Sequence, residues 1–242
     1  EDASAAEQLA CARLRAAPDA APPALADGTR RGPVFGVPGQ GTPHPRAAAG
    51  LAGEPLDLGT RVRGCLGMFS DALGTDLITM WQEETDPAAV ARTVHAQPLL
   101  FSVEFALARS LGVLGVEPAA LVGHSVGEVV AATLAGVLPL ADAVRFVARR
   151  AELMQGMPPG RMLAVAAGED VVRELLVPGV AVSAVNGPGQ VVVGGPAESV
   201  AAFREILAGP GGAGRLLPTS HAFHTPMMAP AVADLTVLLA RR

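Results

Sequence analysis

The sequence contains no lysine and no tyrosine, and it is poor in cysteine and aromatic residues. Its basic side chains are arginines and five histidines, and the two cysteines, Cys11 and Cys65, stand far apart among 242 residues. Two isolated thiols exclude a disulfide framework and a cysteine-based zinc site, so we predict no bound metal. The N-terminus lacks the basic-then-apolar pattern of a signal peptide, and we therefore expect reduced thiols and a cytoplasmic location.

Long apolar runs are also missing. The longest uncharged, mainly apolar run, Val129–Ala141, is interrupted by Pro139, whereas a membrane-spanning helix needs about 20 apolar residues. The formal net charge of -5 argues against the basic face that a nucleic-acid-binding protein needs. We therefore expect neither a membrane nor a nucleic acid as partner. Half of the residues are apolar and only 17% are charged, which is enough apolar material for a buried core.

Composition divides the chain into three parts. Residues 1–32 are rich in Ala, Pro and Arg, and we predict a linker or a tail. Strands alternate with helices over residues 33–160 and 219–242, which indicates an α/β fold: a hydrolase-like, mostly parallel sheet flanked by helices. Residues 161–218 follow the order strand–helix–strand–strand–helix–strand, which predicts an inserted subdomain with the ferredoxin-like arrangement.

Helix signals are clear at several places in the first part. Asp86 followed by Pro87 is typical of a capping residue and a first-turn proline. Pro98 is predicted to begin a helix that runs to about Leu111. Two more helices are predicted over Val126–Ala135 and Leu140–Met154.

The strongest chemical signal is the pentapeptide G-H-S-V-G at residues 123–127. It lies between a predicted strand and a predicted helix, which is the context that a nucleophile elbow requires. Small residues must flank Ser125 because the turn is sharp. Its hydroxyl is then exposed at the start of a helix, where free N–H groups and the helix dipole favour a developing negative charge.

A serine at neutral pH needs a general base within hydrogen-bond reach. His124 is a poor candidate, because neighbouring side chains on an extended strand point to opposite faces. His221 and His224 lie close together in a predicted loop, and two histidines within four residues favour a site there. The residues alone leave both as candidates.

Several separated motifs together carry a resemblance to a known family. They are P-G-Q-G-T at 38–42, Q-P at 97–98, G-H-S-V-G-E at 123–128, R-A-E-L-M-Q at 150–155, N-G-P-G-Q at 186–190 and H-A-F-H-T-P at 221–226. In order and spacing, the chain resembles malonyl-CoA:acyl-carrier-protein transacylases and the acyltransferase domains of modular polyketide synthases. The match extends over about residues 34–235.

The resemblance implies a serine–histidine mechanism. Ser125 would attack the thioester of malonyl-CoA and hold the acyl group as an ester, and His224 would act as general base and then acid. His224 is preferred over His221 because methylmalonyl-specific family members replace the first histidine of H-A-F-H and keep the last. The backbone N–H groups of Gln40 and Val126 would form the oxyanion hole.

The resemblance also implies a set of substrate contacts: Arg150, Gln97, His124, His221, Phe223 and Asn186. Arg150 resembles the family arginine that binds the free carboxylate of the extender unit, a task for which a planar guanidinium is well suited. Arg149 is about 100° away on the same helix and cannot face the same pocket, so we predict a surface ion pair for it.

Two positions bear on the choice of acyl group. Val126 after the serine and the H-A-F-H sequence resemble the malonyl-selecting members of the family. Phe223 would fill the space that a 2-methyl group needs, and a methyl-sized difference is worth about 1–3 kcal/mol.

No permanently bound cofactor is implied. Malonyl-CoA would be the donor, the phosphopantetheine thiol of an acyl carrier protein the acceptor, and a ketosynthase a neighbouring domain. Family members continue for several tens of residues beyond the position of Arg242, so we expect a C-terminally truncated domain. Two alternatives remain: a serine hydrolase that releases the free acid, and a non-catalytic fragment of a megasynthase.

Overall fold

The computed structural model describes residues 32–41, 44–51, 57–207 and 214–240. The predicted linker or tail at 1–32 therefore lies outside the described residues, apart from its last residue. The strands are β1 (Val34–Val37), β2 (Ala120–Gly123), β3 (Arg161–Val165), β4 (Ala181–Gly187), β5 (Gln190–Gly195) and β6 (Arg215–Leu216). The α-helices are α1 (Leu58–Leu73), α2 (Leu77–Glu83), α3 (Pro87–Ala91), α4 (Thr93–Val113), α5 (Val126–Leu134), α6 (Leu140–Gln155), α7 (Glu169–Leu175), α8 (Ala197–Leu207) and α9 (Ala229–Ala240).

The first part of the fold is built on a parallel strand pair. β1 lies beside β2 with Val34 opposite Ala120, and within the described ranges no third strand joins this sheet. Helices α1, α4, α5 and α6 pack around it, with the rings of Phe69 and Phe101 meeting edge to face at 5.5 Å in the core. Strands alternating with helices confirm the predicted α/β class. None of the helices in the described ranges is long and apolar enough to cross a membrane.

The second part is an antiparallel sheet with the strand order β4–β5–β3–β6. Its elements follow the predicted order along the chain, with α7 between β3 and β4 and α8 between β5 and β6. Alternating side chains from the strands meet the apolar faces of the two helices, as a half-buried sheet requires. The resulting core is separate from that around β1 and β2 and includes the buried side chains of Leu163, Val193, Val200 and Phe203.

One helix boundary was predicted wrongly. Helix α4 begins at Thr93, not at Pro98, and Pro98 lies inside it. Proline in a helix removes one backbone donor and is therefore tolerated best near the N-terminus. At the start of α4, Gln155 Oε1 accepts a hydrogen bond from the backbone N–H of Thr93 at 2.8 Å, a contact between segments distant in sequence. The cap and proline predicted at Asp86 and Pro87 are confirmed, because they open α3.

Candidate active site

Ser125 lies in a sharp turn between β2 and α5. Its backbone angles, φ 56° and ψ -118°, are strained for a residue with a side chain. The flanking glycines permit this turn, since a Cβ on Gly123 would lie 2.3 Å from the Cα of Glu128. A Cβ on Gly127 would lie 2.2 Å from the carbonyl oxygen of Val37. The turn therefore depends on close backbone contacts that exclude any larger residue at both positions.

His224 reaches Ser125 from a loop that follows β6. Its Nε2 lies 2.9 Å from Ser125 Oγ, and its own φ of 57° is again in the left-handed region. Thr225 braces this loop with its hydroxyl, which donates to the carbonyl oxygen of Ala222 at 2.6 Å. The same hydroxyl accepts from the backbone N–H of Met227 at 3.3 Å. A serine hydroxyl in contact with an imidazole is the arrangement in which the hydroxyl can be deprotonated for nucleophilic attack.

Arg150, on α6, approaches the same hydroxyl from another side. Its Nη2 donates to Ser125 Oγ at 3.2 Å, and its Nη1 donates to Gln97 Oε1. Gln97 in turn donates from Nε2 to Met154 Sδ at 3.5 Å, so both ends of its amide have a partner. Because a guanidinium can only donate, Ser125 Oγ accepts from Arg150 and keeps its own proton available for His224 Nε2.

The surroundings of His224 favour the neutral form of its ring. The pKa of His224 is lowered from its ordinary value of 6.5, first by burial and then by electrostatic interaction with Arg150 and His124. This holds although His224, which lines the cleft, is exposed to solvent. Burial also lowers the pKa of the Arg150 guanidinium, while the negative charge of Glu128 opposes that shift.

Arg150 has no close ion-pair partner in the part of the chain that the structure describes, since no carboxylate there lies within 4.0 Å of it. Arg149, by contrast, has ion-pair partners. It forms ion pairs with Glu152 at 3.2 Å and with Asp234 at 3.3 Å at the surface, which confirms the surface ion pairing predicted for it. The two neighbouring arginines therefore differ in the one respect that matters for binding an anion: one is paired and the other is not.

A cleft with a volume of about 680 Å³ opens in front of Ser125. It lies between the loop after β1 and the antiparallel sheet. Most of the predicted site residues line it: Gln40, Gln97, His124, Ser125, Asn186, Phe223 and His224. The two parts of the fold thus contribute opposite walls, and residues far apart in sequence come together.

Three predicted residues are not among those that line the cleft. Arg150 is linked to it through the hydrogen bond from its Nη2 to Ser125 Oγ. The side chain of Val126 is fully buried, so only its backbone is available to the cleft. His221 is buried behind the wall, with Nε2 3.1 Å from the carbonyl oxygen of Met157 and Nδ1 2.8 Å from Ser220 Oγ. Its ring lies 6.0 Å from that of Phe223, which does line the cleft. The structure therefore places His221 where it holds the loop and the Phe223 ring in position.

Other cleft residues have no predicted role. Met154, Met162 and Leu217 form part of an apolar wall, and Arg215 adds a positive charge to the cleft. Met154 could have been found, because it lies four residues after Arg150 and thus on the same helix face. Met162 and Leu217 meet through a backbone hydrogen bond of 2.9 Å between distant segments, which no local pattern indicates.

Comparison with known proteins gives consistent matches. The sequence profile of a family described as the acyl transferase domain matches residues 38–241. A phenolphthiocerol/phthiocerol polyketide synthase polypeptide of Mycobacterium tuberculosis is 41% identical over 211 residues. That alignment covers 86% of this chain and 14% of the relative, so the chain spans only a small part of such curated relatives.

Solved structures agree with the sequence matches. The acyl transferase domain of SpnD, solved in complex with 2-(pent-4-yn-1-yl)malonyl, superposes with a TM-score of 0.80 at 35% identity, covering 94% of this chain and 54% of that chain. The malonyl-CoA:acyl carrier protein transacylase FabD of Xanthomonas oryzae superposes with a TM-score of 0.77 at 32% identity. That match covers 88% of this chain and 70% of that chain.

Proposed function

Since the chain belongs to the acyl transferase domain family, we propose that it moves a malonyl group from CoA to the phosphopantetheine thiol of an acyl carrier protein. The acyl group is carried as an ester on Ser125. One observation carries the proposal: Ser125 Oγ lies 2.9 Å from an imidazole nitrogen of His224 and 3.2 Å from the Arg150 guanidinium, which has no ion-pair partner among the described residues. A nucleophile, a base and an anion-binding group thus converge on one atom.

In the first half-reaction, Ser125 Oγ attacks the thioester carbonyl of malonyl-CoA while His224 Nε2 takes the hydroxyl proton. The bond between Oγ and the carbonyl carbon forms, and a tetrahedral oxyanion results. The carbon–sulfur bond then breaks, and His224 returns the proton to the CoA thiolate. The lowered pKa of His224 suits this work, because only the neutral ring can accept the proton.

The oxyanion is stabilised by the backbone N–H groups of Gln40 and Val126. Two features support this assignment. Val126 is the first residue of α5, so its N–H belongs to the free donors at a helix N-terminus. The loop carrying Gln40 lies directly against the elbow, since a Cβ on Gly39 would lie 2.8 Å from the carbonyl oxygen of His124. Loss of one such donor typically costs about 3 kcal/mol in the transition state.

Arg150 binds the free carboxylate of the malonyl group. Its guanidinium is largely buried and has no carboxylate partner among the described residues, so a substrate carboxylate would compensate its charge. Gln97 fixes the guanidinium from the opposite side. Phe223, buried in the wall of the cleft, would oppose a 2-methyl group by steric contact, and the preference for malonyl is worth about 1–3 kcal/mol.

In the second half-reaction, the phosphopantetheine thiol of the carrier enters the cleft and attacks the ester. His224 now takes the thiol proton and returns it to Ser125. The similarity to polyketide synthases and to a FabD transacylase supports an acyl carrier protein as acceptor and a ketosynthase as a neighbouring domain. In this proposal the Ser125-bearing core comprises residues 33–160 and 219–242, and the ferredoxin-like subdomain at 161–218 forms the wall with Asn186.

The test is transfer of radiolabelled malonate from CoA to a holo carrier protein. We expect a labelled ester on Ser125 and then label on the carrier. Ser125→Ala should abolish both, while Ser199→Ala, on α8 and outside the cleft lining, should retain them. Label that appears only as free malonate would indicate a hydrolase. Folded protein that acquires no label would indicate a non-catalytic domain.

A further inference from the structure

Helices α4 and α6 carry Gln97 and Arg150, the pair that faces Ser125. We propose that Gln155 is a positioning residue, which locks these two helices in the alignment that aims the Arg150 guanidinium at the substrate carboxylate. The inference rests on the proposed role of Arg150. It assigns to Gln155 a part in selecting the acyl group, although its side chain is outside the cleft lining.

The first observation is the contact itself. Gln155 Oε1 accepts a hydrogen bond of 2.8 Å from the backbone N–H of Thr93, the first residue of α4. Thr93 is fully buried, whereas Gln155 is half-buried. Arg92, at the N-cap position, provides no side-chain hydrogen bond. A buried N–H at a helix start is costly without an acceptor, and here a residue distant in sequence supplies it.

The second observation is the antiparallel order of the contacts. Thr93 meets Gln155 at the ends of the two helices, and one turn further along each helix Gln97 meets Arg150. Gln97 also donates to Met154, the residue before Gln155. Sliding one helix by a single residue would displace these atoms by about 1.5 Å, well outside the hydrogen-bond range of about 2.7–3.2 Å. The Gln155 contact therefore fixes the register in which Gln97 reaches Arg150.

The third step concerns the guanidinium. Gln97 Oε1 and Ser125 Oγ each take one N–H group of Arg150, and these two contacts define the plane of the cation. A carboxylate is bound in two parallel hydrogen bonds only if that plane is held in the correct orientation. Loss of the Gln155 contact would let the start of α4 move and Gln97 with it. The Arg150 guanidinium would remain in the site, but the orientation of its plane would be less well defined.

The experiment compares Gln155→Ala, which removes the acceptor, with Gln155→Glu, which keeps one. Glu152→Ala is the matched control, because Glu152 lies on the exposed face of the same helix. For Gln155→Ala we expect the KM for malonyl-CoA to rise about tenfold while the kcat changes little. The KM for acetyl-CoA, which has no free carboxylate, should stay unchanged, and Gln155→Glu should restore the wild-type KM. An equal loss with both donors would overturn the proposal, since it would indicate a purely structural role.

A second measurement separates this inference from the proposed function. Amide hydrogen exchange at Thr93 should be faster in Gln155→Ala than in the wild type and unchanged in Glu152→Ala. Unchanged exchange at Thr93 in Gln155→Ala would also overturn the positioning role. If the wild type forms no malonyl ester, the proposed function fails, whereas the exchange comparison still decides whether Gln155 holds the start of α4.

Discussion

The two segments that meet at the candidate site are held in place in different ways. The elbow that carries Ser125 is fixed by backbone packing, because Gly123 and Gly127 allow contacts that a single added carbon would abolish. The loop that carries His224 is fixed by side chains, through the hydroxyl of Thr225 and the ring of His221. Both segments hold their key residue at a positive φ, so both store strain that the surrounding contacts must maintain.

The difference predicts how each segment fails. Backbone contacts cannot relax around an added methyl group, so a substitution at the elbow should displace the nucleophile altogether. Side-chain hydrogen bonds can be removed one at a time, so a single substitution in the loop that carries His224 should lower activity only partly. Four experiments test this contrast, beginning with the one that should have the largest effect.

Gly127→Ala should break the elbow. The added Cβ would lie 2.2 Å from the carbonyl oxygen of Val37 and 2.4 Å from that of Pro38, so the loop bearing Gln40 must move away. We expect the rate of Ser125 acylation to fall by roughly 10³-fold, as when an oxyanion donor is lost. Gly64→Ala is the control: a Cβ at this position in α1 meets nothing within 4 Å. Near-normal acylation in folded Gly127→Ala would refute the packing argument.

Arg150→Ala should leave the elbow intact and remove only the anion-binding group. Charged hydrogen bonds contribute about 1.5–3 kcal/mol each, so we expect kcat/KM for malonyl-CoA to fall about 10²-fold. Acetyl transfer should persist and gain relative to malonyl transfer, because the proposed oxyanion hole remains. Arg149→Ala, which loses only exposed ion pairs, should behave like the wild type. Unchanged malonyl selectivity in steady-state kinetics would rule out Arg150 as the carboxylate-binding residue.

Much of the elbow and of the antiparallel sheet could be predicted from the sequence, because their elements are formed by residues that are close together in the chain. The G-H-S-V-G pattern at 123–127 predicts an elbow because its strand, turn and helix are consecutive in the chain. The strands of the antiparallel sheet were predicted in the correct order for the same reason. Periodicity and turn residues report on neighbours, and here the neighbours determine the structure.

The remainder depends on contacts between distant segments. The backbone N–H at the start of α4, Thr93, has its acceptor on Gln155 in another helix, and Pro98, inside α4, gave a misleading signal. The burial of His221 depends on Met157, and no feature of the H-A-F-H sequence indicates that its first ring lies behind the cleft. Helices α1 and α2 were not predicted, although Asp76 caps α2 by accepting a hydrogen bond from the backbone N–H of Thr79.

Thr225→Val should weaken the histidine loop without destroying it. The substitution preserves the shape of the side chain but removes the hydrogen bonds to Ala222 and Met227, each worth about 1 kcal/mol. We expect kcat to fall about tenfold while the KM for malonyl-CoA stays near the wild-type value. Thr225→Ser should recover most of the rate. The control is Thr236→Val in α9, where the hydroxyl donates to the carbonyl oxygen of Val232 in the same helix. Equal losses in both valine variants would contradict a specific role for Thr225.

The smallest effect concerns pH. The proposed base, His224, must be neutral to accept the proton of Ser125, and its pKa is lowered from 6.5 by burial, by Arg150 and by His124, in that order. The acid limb of the acylation rate should therefore lie below pH 6.5 in the wild type. In Arg150→Ala, measured with acetyl-CoA so that no carboxylate anchor is needed, the limb should move upward but remain below 6.5, because burial is the larger cause. A limb that stays in place would mean that the charge of Arg150 does not influence the protonation of His224.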